Sequence, residues 1–292
     1  MFKRVIPLLL AFTLMLGLGA YWLLYYTGNN TEYARGHRYL VTIKPGMTTA
    51  DIADLLHKKH LVKTPEAFRM ETRIRGLAGK LEAEGLGDAR KFEEAARNYT
   101  PYPYMETDNP HVIFKAEGFI FPTTYQLDPD MSEKEILAMM VRTFNSEMNR
   151  ENIPALAKEK KMNLRDLVNL AAMVELEAVF PEEQARIAGV FLKRLHIYMP
   201  IQSDTTIQYL LGAQKEEVTI ADTKIRSPYN TYQNTGLPPG PIGSPGIDAI
   251  KAVLYPEVTD YLYFVAEKDG HHRFTKTYQE HLKAIEDIHG KE

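Results

Sequence analysis

The sequence predicts an α+β protein in which helices carry most of the chain and one antiparallel hairpin lies near its C-terminus. Three observations predict this. Apolar residues recur at helical spacing from Glu133 to Met148, after Asn163, and again from Pro181 to about Tyr198. Strand-like runs are short, the clearest being Tyr261 to Ala266, followed by the turn Lys268-Asp269-Gly270 and a returning Arg273-Phe274. The first 26 residues form an apolar segment unlike anything after it. With 292 residues, 45% of them hydrophobic and 25% charged, the chain has room for one large or two modest domains of ordinary globular composition.

At the N-terminus, Lys3 and Arg4 precede 22 uncharged residues, Val5 to Tyr26, about the length that spans a bilayer as a helix. Tyr21, Trp22, Tyr25 and Tyr26 resemble an interfacial aromatic belt. The cations come first, so the expected topology is a single-pass anchor with its N-terminus in the cytoplasm and the remainder outside. A cleaved signal peptide is the other reading, but the run is longer than a usual h-region and no clear A-x-A site follows. Gly28 to Gly36 is polar and aperiodic, as suits a short tether.

Arg38 to Ile43 then alternates like a strand, Pro45-Gly46 turns, and Thr48 caps a helix with Ile52, Leu55 and Leu56 on one side. Thr64-Pro65-Glu66 begins another helix. This order resembles much of a LysM-type glycan-binding module, and a small structural spacer is the plainer alternative. Leu81 to Arg97 is charged, rich in alanine and predicted helical, Asn98 to Asn109 is a proline and tyrosine loop, and a domain boundary is expected near Pro110. Val112 to Leu127 reads as strand broken by Gly118 and Pro122, and Ser132 with Glu135 forms a capping box for the next helix.

The helix capped by Asn163 is the centre of the sequence. Leu167, Leu170, Ala171, Val174 and Ala178 make one apolar stripe, while Ala172, Met173, Leu176, Val179 and Phe180 fill most of the far side. A helix apolar nearly all round is normally buried. Two carboxylates interrupt it, Glu175 and Glu177, and residues at i and i+2 do not share a face. Pro181 disfavours helical geometry at Phe180 and suits the first turn of a new helix, which places Glu177 in the last turn of its own. Unpaired carbonyls there oppose ionisation, and so do apolar neighbours. Both raise the pKa, as a general acid requires. A glutamate reaching solvent, or a buried salt bridge, is the plainer reading of the same stretch.

Gln202 to Gly212 begins polar and becomes a short helix. Ser227 to Gly246 holds five prolines and four glycines in twenty residues, which fits either a floppy linker or an ordered extended wall. Asp248 to Leu254 is predicted helical, Tyr261 to Ala266 a buried strand, and Tyr278 to Ile288 a terminal helix.

A net charge of -3 gives no basic excess for nucleic acid, and the absence of cysteine excludes disulfides, cysteine-ligated clusters and thiolate nucleophiles. No metal or cofactor is expected. His271 and His272 adjoin in the hairpin and should point to opposite faces, and His281 sits alone on a helix. No phosphate-cradling glycine loop or G-x-S-x-G elbow is present. Carboxylate acid chemistry remains.

The runs AAMVELEA (171–178), IAGVFLKRL (187–195), IQSDTTIQYLLG (201–212), SPYNTY (227–232), GLPPGPIGSPG (236–246) and YLYFVAEKDGHHRFTKTYQEH (261–281), with AEGFIFPTTYQL at 116–127, resemble the YceG-like family of membrane-anchored endolytic murein transglycosylases. The resemblance covers the chain from the anchor onward. It implies peptidoglycan cleavage at the β-1,4 bond between N-acetylmuramic acid and N-acetylglucosamine, leaving 1,6-anhydromuramic acid ends. It places the essential acid, the second glutamate of an E-x-E motif, at Glu177, and polar cleft positions at Gln202, Asp204, Asn230 and Tyr232.

Three departures are visible. The segment ahead of the catalytic domain fits only about one LysM-like unit, Leu176 stands where a lysine is common, and Ala172 stands where a small polar residue is usual. The implied partners are glycan strands, the membrane through the N-terminal helix, and cell-wall synthases of the elongation machinery. The competing class is a non-catalytic, membrane-anchored peptidoglycan-binding scaffold. The expected organisation is cytoplasmic N-terminus and anchor 1–26, linker 27–36, LysM-like unit 37–80, helical connector and loop 81–112, and a mixed helical and hairpin catalytic domain 113–292.

Overall fold

The computed structural model describes residues 58 and 73–290, except 124, 126, 129, 213, 214 and 216. The expected anchor and tether, and the LysM-like unit up to residue 72 apart from residue 58, lie outside the described residues. The elements below belong to one compact unit, Thr48–Ala50 with Arg69–Glu292.

The stretch read as one helix over 81–97 is two, α1 (Ile74–Ala83) and α2 (Ala89–Asn98). Gly85 and Gly87 take positive φ between them, and Asp88 caps α2 by accepting from the amides of Arg90 and Lys91. Beyond Pro110 the chain returns to α2: the amides of Lys115 and Ala116 donate to the carbonyls of Arg97 and Ala96 at 3.1 and 3.1 Å. Phe92, Ala96 and Phe114 share one core, so α1 and α2 belong with the elements that follow.

The described residues of 112–127 form turns and bends where a strand was expected. Phe114, Ala116, Phe119 and Ile120 are all buried, so the apolar pattern there reports burial and not pleating. Gly118 has φ +86, and a Cβ on it would meet Pro241 at 2.4 Å, a close approach that only glycine allows.

α3 (Glu133–Arg150) opens on the expected capping box, and α4 (Ile153–Glu159), absent from the sequence reading, is a short helix with proline in its first turn. α5 (Leu164–Glu177) is capped by Asn163, which accepts from the amides of Arg165 and Asp166. Every residue of α5 from Leu167 to Glu175 is buried, as an all-round apolar helix demands. Pro181–Glu183 makes a single 3-10 turn before α6 (Gln184–His196), and α7 (Asp204–Leu211) ends on Gly212 in the left-handed region. α8 (Ile247–Leu254) packs against both α5 and α6.

β1 (Tyr263–Ala266) and β2 (His272–Thr275) pair antiparallel with Phe264 opposite Phe274, and α9 (Tyr278–His289) follows behind a Thr277 capping box. β1 is half-buried, not fully buried as expected. The proline-rich loop 227–246 is an ordered wall, with Tyr229, Asn230, Thr231, Ile242 and Ser244 all buried.

Candidate active site

Glu177 is the last residue of α5; the helix closes with the Ala178 amide donating to the Val174 carbonyl at 2.9 Å, and Ala178 itself is extended. The Glu177 carboxyl is therefore held at the carbonyl end of a rigid, buried helix. Ser203 meets it, its hydroxyl donating to Oε1 at 2.5 Å. Ser203 is the N-cap of α7, yet its hydroxyl makes no capping bond and is turned to Glu177 instead.

A small network holds that serine. Its amide donates to Thr231 Oγ1 at 3.1 Å, its carbonyl accepts from Thr206 Oγ1 at 2.7 Å, and Thr206 and Thr231 join hydroxyls at 3.0 Å. Thr205 Oγ1 lies 2.5 Å from Ser203 Oγ. With the serine proton given to Glu177, Thr205 is the donor to Ser203. A protonated Glu177 can in turn donate to Ser203 Oγ, so this contact survives both protonation states.

The electrostatics favour the acid form. Burial is the largest influence on Glu177 and raises its pKa. The Ser203 bond opposes this, the Asp204 carboxylate adds to it, and His272 and Arg194 act weakly in the lowering direction. Asp204 is also raised, first by burial of its carboxyl, with the hydrogen bond from Tyr232 opposing; that Tyr232 OH donates to Asp204 Oδ1 at 2.5 Å. The Asp204 residue remains open to solvent on one side, so its carboxyl is walled by protein but reachable. Tyr232 is pushed far above its ordinary value by burial and by Asp204, and it stays a neutral donor.

Glu175 is spent elsewhere. Its Oε2 accepts the Gly246 amide at 3.3 Å, at the N-terminus of α8, where a carboxylate is favoured. Two further contacts frame the site. Arg194 of α6 donates from Nε to the Leu262 carbonyl and from Nη1 to the Ile201 carbonyl, both at 2.6 Å, which fixes the loop that presents Ser203. Glu183 accepts from the His272 amide at 2.9 Å and contacts His272 Nδ1 at 2.8 Å, tying the hairpin to the turn after α5. His271 points elsewhere and stacks on Phe180 with ring centres 3.8 Å apart. Among the described residues no group of three His, Asp or Glu side chains converges to hold a metal ion.

Of the positions implied by the sequence, Glu177, Asp204 and Tyr232 come together. Gln202 is exposed beside them in a left-handed conformation, φ 54, with its amide on the Thr231 carbonyl. Asn230 does not offer its amide to a ligand. Its Nδ2 donates to the Thr223 and Ile225 carbonyls at 2.9 and 2.7 Å, and its Oδ1 accepts the Tyr232 amide at 2.9 Å. Asn230 thus builds the loop that aims Tyr232. Ser203, Thr231 and Arg194 were missed by the sequence reading; a serine immediately before a helix looks like an ordinary cap.

The YceG-like family profile matches residues 42–287. The chain belongs to the YceG-like family. An endolytic murein transglycosylase of Bacillus subtilis (strain 168) is 42% identical over 257 residues, which cover 88% of this chain and 67% of the relative. An endolytic murein transglycosylase of Streptococcus pneumoniae serotype 2 (strain D39 / NCTC 7466) is 35% identical over 159 residues, 53% of this chain and 28% of the relative. Here the YceG-like chain spans under a third of the streptococcal protein. A crystal structure of a yceG-like protein from Listeria monocytogenes superposes with a TM-score of 0.67 at 26% identity, covering 84% of this chain and 98% of that one.

Proposed function

We propose that this YceG-like chain is an endolytic peptidoglycan lytic transglycosylase and that Glu177 is its acid. The observation that carries the assignment of the acid is the placement of this carboxyl: at a helix end, half-buried, raised in pKa by the burial it has, and held by a serine that serves either protonation state. Protonated Glu177 gives its proton to the glycosidic oxygen as the bond to the anomeric carbon of N-acetylmuramic acid breaks. The carboxylate that results takes the proton of the 6-hydroxyl of the same sugar, whose oxygen bonds to the anomeric carbon. The products are a free 4-hydroxyl on N-acetylglucosamine and a 1,6-anhydro end, and no water is consumed. The intramolecular hydroxyl gains from proximity and removes the need for a protein nucleophile.

Asp204 and Tyr232 form the polar wall beside the acid. A carboxylate there stabilises the positive charge that develops at the anomeric carbon, and Gln202, exposed at the rim, is placed to meet sugar hydroxyl or acetamido groups. Attachment to the membrane by residues 5–26, with the catalytic unit outside the cytoplasm, and association with cell-wall synthases complete the reading; they rest on the sequence and the resemblance alone.

Asp204 also favours a second reading, because ordinary glycosidases use two carboxylates in one cleft and release reducing ends. Digesting purified peptidoglycan with the full chain and identifying the new termini by mass spectrometry separates the two. Anhydro ends are expected; reducing muramic acid ends would mean hydrolysis. Binding without any new ends would favour the scaffold.

A further inference from the structure

Arg165 and Asn169 stand one turn apart at the N-terminal end of α5, the far end of that helix from Glu177, and both line a cleft of about 420 Å³. Thr107, His111, Asn234 and Leu237 contribute to its wall. Both side chains are nine-tenths buried or more, at 9% and 3% exposure, and both are incompletely bonded.

Arg165 Nη1 donates to the Met105 carbonyl at 2.6 Å, while Nε and Nη2 have no partner. Asn169 Nδ2 donates to the Pro238 carbonyl at 2.7 Å, which fixes the amide orientation and leaves Oδ1 without a donor. Arg165 makes no ion pair among the described residues. A buried cation and three buried polar atoms left open in this way are costly unless a ligand fills them.

The open atoms specify the ligand. Nε and Nη2 form one edge of the planar guanidinium, the edge that takes both oxygens of a carboxylate. A sugar hydroxyl fills one of those donors and leaves the other open; the guanidinium's present company is the Phe119 ring, 5.5 Å from its Cζ, and the Asp166 carboxylate on the cleft wall. Asn169 Oδ1 accepts an N–H. A carboxylate with an amide N–H close by is the chemistry of a peptide.

We propose that this cleft binds a free carboxylate of a peptide carried by the glycan strand that Glu177 cuts, a reading that rests on peptidoglycan being the substrate. The reach is suitable. Along α5, at about 1.5 Å per residue, Asn169 and Arg165 lie roughly 12 and 18 Å from Glu177. An extended peptide covers up to about 3.3–3.6 Å per residue, so about four or five residues match the straight-line span, and more are needed to pass around the buried middle of the helix. Nε and Nη2 have no surface open to water, so a carboxylate reaches them only where the cleft wall gives way.

The test is a calorimetric titration of the full chain in detergent with stem peptide released from peptidoglycan and N-acetylated, compared with the same peptide after its carboxylates are converted to carboxamides. The free acid is expected to bind about 10-fold or more tightly than the amide, the weight of a charge-assisted bond, and Arg165→Gln is expected to remove the difference. Equal binding of the two forms, or of neither, overturns the proposal on the unaltered chain, whether or not the variant folds. A second readout is the ratio of cleavage rates on peptide-bearing and peptide-stripped strands, expected above one and brought to about one by Arg165→Gln. If anhydro ends form but the titration shows no preference, only this inference falls; if no ends form, the titration still reports on the cleft.

Discussion

Ser203 gives up the capping bond of its own helix to hold Glu177, and its removal has a signed consequence. Its hydrogen bond lowers the Glu177 pKa against the larger effect of burial, so Ser203→Ala should raise that pKa further. The alkaline limb of the rate profile, where the acid loses its proton, then moves to higher pH, and the rate at the optimum drops about 10-fold or more. A serine that merely packed would leave the limb in place. Glu177→Gln keeps the shape and removes the transferable proton; turnover should fall by about 10²–10⁴-fold with strand binding retained, measured as release of anhydro ends and as pull-down on peptidoglycan.

Glu117 titrates for a different purpose. It is 1% exposed, accepts from the Ile74 amide at 3.1 Å and from the Tyr209 hydroxyl at 3.3 Å, and burial lifts it from 4.5 to about 7 in spite of Arg73. A carboxyl raised on folding contributes stability that is fully present below about 4.5 and lost as pH rises through about 7. The loss is on the order of 3 kcal/mol. Chemical denaturation from pH 4 to 8 should show that decline in the native chain and a flatter profile in Glu117→Gln.

Elements are positioned here by close approaches as much as by capping. Gly189 sits inside α6, where glycine is otherwise unfavourable by about 1 kcal/mol. A Cβ on it would lie 2.3 Å from the Glu257 carbonyl oxygen, far inside contact distance, so the loop leaving α8 can lie on α6 only because the side chain is absent. Gly189→Ala should therefore destabilise by about 2 kcal/mol despite the gain in helix propensity, read as a lower denaturation midpoint. The same loop is further held by Arg186 on Glu257 and Lys193 on Asp260. Those pairs are exposed and contribute little.

Over the whole molecule, α5 joins the proposed acid at its C-terminus to the proposed Arg165 cleft at its N-terminal end, with the proline-rich loop contributing to the cleft and carrying Tyr232. The proposed anchor lies ahead of the described residues. If residues 5–26 span a bilayer, the full chain should sediment with membranes and resist carbonate extraction. The chain lacking residues 1–26 should be released to the supernatant. Recovery of the intact chain as a freely soluble protein would remove that part of the reading.

Periodicity and end signals act over a few residues, and the sequence alone determined what depends on them. These are the span of α5 between Asn163 and Pro181, Glu177 in its last turn, the capping box at Ser132, and the hairpin turning at Gly270. Where the local pattern was ambiguous it misled: buried apolar residues in turns at 112–127 read as a strand, and two short helices read as one. Only the tertiary structure decided which groups meet. Ser203 reaches Glu177 across 26 residues, Asn169 reaches Pro238 across 69, and Asn230, a plausible ligand contact by residue type, fills its bonds within the loop. A hydrogen bond is won by whichever partner the folded chain brings within about 3 Å, and that distance is fixed by packing between elements that no local pattern encodes.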